Sequence, residues 1–361
     1  MTSSATNPRT DPRSFCGDAW RLIEQLADGD EITACYRVLD ARRLDAKNGK
    51  PYLKLGLGDR SGTIDGFVWE DVERWEPLCP ADSVVGVRGR VGSYQERLQV
   101  RVHWIEPLRP EPADLERLLP TSPRPRERME AELDALIGSV SEPGLRRLLQ
   151  RCLGRGTELG RAFRVHPAAK RNHHAYLCGL LEHSVSVATG CHALAEHYRR
   201  QGAEVDRDLL VTGALLHDFG KLRELRGLPA SGYTDEGQLL GHIVLGIQMV
   251  TREAAAVTEL PESRLLLLQH LIASHQGRPE WDSPRVPQLR EALILHYMDD
   301  LDAKLNQAAA LLSGVPAGEW TTYDRTLARA FFRPSALAAS DDVEPVSSEE
   351  ARDLVFDLFR G

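Results

Sequence analysis

The sequence contains no run of 18 consecutive apolar residues, which argues against a membrane-spanning helix. Its first residues, MTSSATNPRTDPR, lack the apolar stretch of a secretory signal, so we expect a cytoplasmic protein that binds no membrane. The six cysteines form no CxxC pair and are widely scattered, which favours reduced thiols buried as small apolar side chains. Positive charge is also in deficit: the net charge of −8 disfavours a protein that coats nucleic acid by bulk charge.

The negative charge is unevenly distributed along the chain. Residues 335–361 hold seven acidic residues and two arginines, so this tail contributes −5 and leaves −3 for the other 334 residues. Basic stretches occur at 37–54 and 161–174. Charge therefore excludes a bulk-charge binder but not an enzyme that processes nucleic acid. The end of the tail, ARDLVFDLFRG, could form a short amphipathic helix that contacts a partner subunit or caps the rest of the fold.

The length of 361 residues predicts two domains. After a polar segment 1–14 that we expect to be disordered, residues 15–106 contain five short alternating runs separated by turn signals such as Asn48-Gly49. This pattern predicts a small barrel, although an SH3-like barrel or a plain meander would give a similar one. Residues 107–128 are rich in proline and predict a linker, and residues 129–334 show apolar residues at helical spacing and predict an all-α bundle.

Eleven of the twelve histidines lie in the helical half, and several stand beside apolar residues. His217 and Asp218 are adjacent in the apolar segment ALLHDFGKL, and Asp299 ends the apolar run ALILHYMD. Burying an imidazole and a carboxylate is costly unless they are paired or bind a metal. Imidazole and carboxylate ligands suit Mn²⁺, Fe²⁺, Co²⁺ or Zn²⁺. From the residues alone, a metal site and a hydrogen-bonded buried cluster are equally open.

The order His183, His217-Asp218, Asp299 resembles the HD superfamily of metal-dependent phosphohydrolases. The phrases NHHAYLCGLLEHS, GALLHDFGKLREL, YTDEGQLLGHIVLG and LHYMDDLDAKL are more specific and resemble the YhaM-type 3′→5′ exoribonucleases. NGKPYLKLGLGDRSGTIDGFVWE is similar to the OB-fold of that family, and WTTYDRTLARAFFRP to the end of its HD domain. The resemblance implies a multidomain fold in which a small all-β OB-fold barrel precedes an all-α HD-domain bundle.

The resemblance also implies a ligand set for two divalent metal ions. Mn²⁺ is the first candidate, with Fe²⁺, Co²⁺, Zn²⁺ or Mg²⁺ as alternatives. Asp218 would be the shared and catalytic carboxylate, His183, His217 and Asp299 would complete the first half of the site, and His242 and His275 would form the second. Two such ions can activate water and neutralise charge on a phosphodiester.

Four further polar residues are candidates near this site. Lys221 follows Asp218 by three residues, so one helical turn would bring its ammonium to the phosphoryl oxygens; a solvated lysine at a helix end is the alternative. His270 lies about 140° round the helix from His275, which favours a supporting or structural role. His296 precedes Asp299 by three residues and could support it. Where the family has a second histidine after His275, this chain has Gln276.

Two groups of residues are candidates for contact with a nucleic-acid strand. The basic segment 161–174 either tracks phosphates beside the metal site or is a solvated face; its candidates are Arg164, Lys170, Arg171, His173 and His174. On the barrel, the candidates for stacking on bases are Tyr52, Trp69 and Tyr94, although most aromatics on strands belong to the core.

The sequence therefore predicts a metal-dependent 3′→5′ exoribonuclease that acts on single-stranded RNA, with single-stranded DNA as a further candidate. The direction of cleavage rests on the resemblance alone. Two alternatives remain open: a nucleotide or cyclic-nucleotide phosphohydrolase, and a nucleic-acid-binding protein with an inactive HD domain. A homo-oligomer is also open.

Overall fold

The computed structural model describes residues 11–95, 97–170, 174–227 and 232–335. The chain divides into two compact units, the first made of residues 1–121 and 227–231 and the second of residues 122–226 and 232–361. Among the described residues, no helix is long and apolar enough to cross a membrane. The predicted acidic tail 335–361 lies, apart from its first residue, outside the described residues.

The first unit is built on a closed five-stranded barrel. Its strands are β1 (Glu31–Asp45), β2 (Pro51–Asp59), β3 (Gly62–Val68), β4 (Val84–Tyr94) and β5 (Arg97–Leu108). They follow the order β1-β2-β3-β5-β4 around the barrel, and β3 pairs with β5 in parallel. A plain meander would join only neighbours in sequence, so the parallel pair excludes it. Alternate residues of each strand face inward and fill the interior, as in Leu53, Leu55 and Leu57.

Short helices complete the barrel unit and correct two expectations. The helix α1 (Pro12–Cys16), capped by Asp11, begins inside the segment 1–14, so the expectation of disorder is wrong for residues 12–14; residues 1–10 lie outside the described residues. The predicted linker 107–128 is also wrong, because β5 continues to Leu108 and a helix, Pro112–Leu118, follows it. Proline is compatible with the first turn of a helix, which is why a proline-rich segment can fold this way. The remaining helix of this unit, α2, spans Val72–Trp75, and Pro112–Leu118 is α3.

The cysteines differ in part from the expectation of reduced thiols. Cys16, at the end of α1, forms a disulfide with Cys35 of β1. The bond ties the N-terminal helix to the barrel wall. The described free cysteines, Cys79, Cys152, Cys178 and Cys191, are buried as expected.

The second unit is an all-α bundle. Its long helix α7 packs against α4, α8 and α12, and α10 packs against α9 and α11. Their bounds are α4 (Arg126–Ser139), α5 (Pro143–Leu153), α6 (Glu158–Phe163), α7 (Gly179–Arg200), α8 (Arg207–Leu216), α9 (Lys221–Glu224), α10 (Asp235–Ala254), α11 (Glu262–Ser274) and α12 (Arg290–Leu312). The polar side chains in the predicted ligand set lie on these packed helices or at their ends.

Candidate functional site

One half of the site forms where α7, the end of α8 and α12 meet. His183 projects from α7, His217 follows α8 directly, and Asp299 lies on α12. The Nε2 atom of His183 lies 3.0 Å from Asp299 Oδ1 and 3.2 Å from His217 Nε2. Three potential ligand atoms from three elements therefore converge on one point.

The other half is contributed by α10 and α11. His242 lies on α10, and His275 follows the last residue of α11. Their Nε2 atoms lie 3.5 Å and 3.8 Å from Asp218 Oδ1. The second oxygen of the same carboxylate, Oδ2, lies 3.5 Å from His183 Nε2 and 3.4 Å from His217 Nε2. Asp218 thus stands between two pairs of imidazoles and offers one oxygen to each pair.

Each of the four rings is held through its other nitrogen, Nδ1. Those of His217 and His275 donate to the main-chain oxygens of Ala214 and Ile272, both over 2.8 Å. A carbonyl oxygen can only accept, so these bonds place a hydrogen on Nδ1 and leave Nε2 to bind.

In the other two rings a carboxylate takes the place of the carbonyl. His183 donates to Asp302 Oδ2 over 2.8 Å, and His242 to Glu224 Oε1 over 3.1 Å. Such bonds fix the orientation and the tautomer of metal-binding histidines.

Two glycines let the chain adopt this arrangement. A Cβ on Gly220 would lie 1.9 Å from the main-chain oxygen of His242, so only glycine permits the segment after Asp218 to approach α10 this closely. Gly241 breaks the helical geometry of α10 with φ 70°. The break frees the main-chain N–H of His242, which donates to Glu224 Oε1 over 3.0 Å. The kink therefore contributes to the placement of the His242 ring.

Burial and mutual charge shift the pKa values of these groups strongly. Burial alone would raise the pKa of Asp218, but Lys221 and His217 outweigh it and hold the pKa well below its usual range. Burial alone would lower the pKa of His183, but hydrogen bonds to Asp299 and Asp302 raise it to about 9. His275 lacks such a bond, and burial lowers its pKa to about 3. The carboxylates are thus held ionised, as ligands of a cation must be.

Lys221 is the first residue of α9, and its ammonium lies 2.6 Å from Asp218 Oδ2. Burial opposes its charge, but the neighbouring carboxylate outweighs burial and raises the pKa of Lys221. The predicted proximity to Asp218 is therefore present, and a solvated lysine at a helix end does not describe this buried side chain.

The donor set fits divalent cations. Neutral imidazole nitrogens and carboxylate oxygens are ligands that Mn²⁺, Fe²⁺ and Zn²⁺ share. Ligand atoms bound at about 2.0–2.2 Å to one ion lie roughly 3 Å or slightly more apart, which agrees with the separations around both oxygens of Asp218. His183, His217 and Asp218 form one group of potential ligands, and Asp218, His242 and His275 form another.

Two residues predicted to contact a strand lie elsewhere. Arg164 is buried, and its guanidinium donates to the main-chain oxygens of Leu153 and Gly160, so the expectation that it tracks phosphates is corrected. His174 is also buried, and its Nε2 lies 3.0 Å from Asp302 Oδ2, a place that suits support of His183 rather than contact with a strand. Lys170 is exposed, and Arg171 and His173 lie outside the described residues.

His296 and His270, the two histidines predicted to have supporting roles, form hydrogen bonds with residues other than Asp299. His296 donates from Nδ1 to the main-chain oxygen of His275 over 2.9 Å, so it supports the His275 segment. His270 accepts from the main-chain N–H of Gln288 through Nε2 and does not join the cluster. Gln276, the departure from the family pattern, has its amide Nε2 3.3 Å from His242 Nε2. It therefore belongs to the surroundings of the second half.

Sequence reasoning missed Asp302 and Glu224, which hold His183 and His242. Asp302 follows Asp299 by three residues on α12, and this spacing places both on one face of the helix. That signal was available, although acids at helical spacing are common on solvated faces. Glu224 had no comparable signal, because its partner His242 is 18 residues away.

On the barrel, Tyr52 and Trp69 stack with ring centroids 4.7 Å apart, and Phe67 lies beside both. Trp69 is 46% exposed, so the stack faces solvent. Tyr94, 64% exposed, ends β4 outside this stack. Lys54, from the basic stretch 37–54, pairs with Asp65 and lies over the Phe67 ring, and Arg42 pairs with Asp40.

The fold and the site define a class: a metal-dependent HD-domain phosphohydrolase preceded by an OB-fold. Residues 180–304 match the HD domain family, and residues 32–108 match a family described as an OB-fold nucleic acid binding domain.

Among curated proteins, the 3′-5′ exoribonuclease YhaM of Bacillus licheniformis is 36% identical over 312 residues, which cover 85% of this chain and 96% of the relative. The YhaM 3′-5′ exoribonuclease of Bacillus subtilis is 36% identical over 311 residues, with the same coverage. The chain belongs to the YhaM family of 3′-5′ exoribonucleases.

Proposed function

We propose that this protein is a hydrolase that removes nucleotides from the 3′ end of single-stranded RNA, with two divalent metal ions, Mn²⁺ foremost, held on either side of Asp218. The observation that carries this proposal is the position of that carboxylate, which offers Oδ2 to His183 and His217 and Oδ1 to His242 and His275. A single ion needs one such group of ligands, whereas two of the groups found among the described residues share Asp218: His183 and His217 complete one of them, and His242 and His275 the other.

When bound, divalent ions in such a site activate water and neutralise the charge of the phosphodiester. The residues of this chain do the rest. Asp302 and Glu224 hold the rings of His183 and His242 in place, so the ligand atoms are arranged before a substrate arrives. The Lys221 ammonium, charged and buried beside Asp218, can stabilise the negative charge that develops on the phosphoryl oxygens.

The barrel would bind part of the strand. Bases of any sequence can stack on exposed aromatic rings, each for roughly 1–3 kcal/mol. The stack of Tyr52 on β2, Phe67 on β3 and Trp69 directly after β3 provides such a surface. The OB-fold match and the family support single-stranded nucleic acid as the ligand, and the family name supports RNA.

Replacing the shared carboxylate tests the proposal. We expect Asp218→Asn to lose Mn²⁺-dependent shortening of a 5′-labelled single-stranded RNA by at least 10³-fold, because both groups of ligands lose an anionic oxygen. Asp300→Asn is the matched control, since Asp300 pairs with Lys304 on the exposed side of α12. Full activity of Asp218→Asn would overturn the assignment, and loss of label from the 5′ side first would overturn the direction.

A further inference from the structure

A cleft of about 820 Å³ opens beside the second half of the metal site. Lys221 and His242 line its inner end, and Lys170, Tyr233 and Leu239 line it further out. All of these residues are described and belong to the bundle unit. The volume lies within the range of small-molecule sites in proteins.

The chain segment around Glu224 connects the wall of the cleft to the metal site. The main-chain N–H of Thr234 donates to the main-chain oxygen of Glu224 over 2.9 Å, and the Glu224 side chain holds His242. Tyr233 is the residue before Thr234, and it forms an isolated bridge with Leu225. Tyr233 is thus fixed to the same short segment that positions a metal-binding ring.

The walls of the cleft combine apolar surface, cations and an amide, together with the acids Glu224 and Asp282. Tyr233 and Leu239 present apolar surface that is 41% and 81% exposed, respectively. The Lys170 ammonium lies over the Tyr233 ring, 5.6 Å from its centre, so a cation already lies over one face of this ring. Gln276 adds an amide near His242. A base would stack on the aromatic face, a phosphate would contact the Lys221 ammonium at the inner end, and polar base edges or sugar hydroxyls would contact the amide.

We propose that this cleft is the binding site of the terminal nucleoside monophosphate unit, with the base stacked on Tyr233 and the phosphate directed towards Lys221 and the metal centre. The inference rests on the proposed function, since an enzyme that cleaves from a strand end must accommodate one terminal nucleotide beyond the bond it breaks. Tyr233 acts as a specificity residue: it selects ligands that carry a base but does not distinguish one base from another, because every base has a stacking face.

An equilibrium titration of the Mn²⁺-loaded full chain tests this without turnover. The ligands are AMP and ribose 5-phosphate, which share the sugar and the phosphate and differ in the base. We expect the wild-type protein to bind AMP about tenfold more tightly than ribose 5-phosphate, the contribution of one stacked base. Tyr233→Leu, which keeps an apolar side chain and loses the aromatic face, should bind both ligands equally. Tyr233→Phe should restore the preference.

Tyr198→Leu is the matched control, because Tyr198 is similarly exposed but lies near the end of α7 and does not line the cleft. It should keep the wild-type preference for AMP. Equal affinities of the wild-type protein for the two ligands, or a preference that survives Tyr233→Leu, would overturn the proposal. Shortening of RNA is measured separately: its failure would count against the exoribonuclease, whereas the titration decides the nucleoside site.

Discussion

At the scale of single residues, the metal centre depends on which nitrogen of each imidazole faces Asp218. The four Nδ1 atoms are engaged by acceptors on four different elements, and the four Nε2 atoms point at the shared carboxylate. Binding geometry is therefore built into the hydrogen bonds behind the ligands. Substituting such a support should weaken metal binding while every direct ligand remains in place.

Asp302→Asn tests this support for His183. The amide keeps the size of the side chain but loses the charge that holds the Nδ1 hydrogen, so we expect metal affinity to fall by about 10- to 100-fold. Calorimetric titration with Mn²⁺ measures the loss, and raised Mn²⁺ should recover much of the RNA cleavage. The control Asp300→Asn, on the same helix, should leave affinity unchanged. Unaltered binding by Asp302→Asn would show that His183 needs no anchor.

For single residues, the sequence predicted the ligand set well and the residues that contact a strand poorly. The ordered set from His183 to Asp299 came from a family resemblance, because spacing alone could not distinguish ligands from buried, hydrogen-bonded histidines. Arg164 and His174 failed as strand contacts because a basic composition does not reveal burial: Arg164 bonds to the last residue of α5 and to Gly160 within α6, and His174 shares the Asp302 carboxylate with His183. Such partners are distant in sequence, and no local pattern predicts them.

At the scale of elements, the break in α10 at Gly241 has a measurable role. Its φ of 70° is unfavourable for a residue with a Cβ. We expect Gly241→Ala to lower the free energy of unfolding by about 1 kcal/mol. It should also weaken metal binding, because the main-chain N–H of His242 is drawn away from Glu224. Gly202→Ala is the control, since φ there is 85° and the site is remote. Equal effects of both variants on Mn²⁺ affinity would contradict a role for the kink.

The N-terminus of α8 carries a pH-dependent contribution to stability. Burial alone would raise the pKa of Asp206, but hydrogen bonds from Arg264 and the main-chain N–H of Leu209 lower it. A carboxyl group whose pKa is lowered on folding stabilises the protein above its unfolded pKa of about 3.9, and this contribution is lost as the pH falls through the folded value.

Asp206→Ala should therefore cost about 1 kcal/mol of unfolding free energy at pH 7, the usual value of a helix cap. The difference from wild type should shrink as the pH falls below about 4, because the wild-type carboxylate becomes protonated. Denaturant unfolding at several pH values measures it. Asp235→Ala, which removes an exposed acid from the first turn of α10, is the control for the loss of one acid at the start of a helix. A difference that grows in acid would have the wrong sign.

Elements were largely predictable because their patterns are local. Alternation placed all five strands, and apolar periodicity placed the long helices. The prediction failed at 107–128, where six prolines suggested a linker. The helix Pro112–Leu118 forms there because Leu118 and Leu119 are buried in the barrel core, a contact that composition cannot show. The strand order was likewise unpredictable, since the parallel pairing of β3 and β5 joins strands that are not neighbours in sequence.

At the scale of the whole molecule, the two units should contribute separately to the handling of RNA. We expect a Tyr52→Ala and Trp69→Ala double variant to raise KM for a long single strand by about tenfold or more, since stacked bases lose their platform. Cleavage of a dinucleotide, which is too short to need the barrel, should change little. Steady-state assays on both substrates decide it, and an equal loss on both would place the aromatics outside strand binding.

The supports of the four imidazoles have a consequence for inherited variation. A point mutation can delete the carboxylate of Asp302 or Glu224, but every amino acid brings a main-chain carbonyl to positions 214 and 272. Each half of the metal centre thus has one ring whose tether a mutation can loosen and one whose tether it cannot remove. Mutation and selection can therefore change the metal affinity of each half separately. In each half, the main-chain carbonyl still holds the second ring in its orientation.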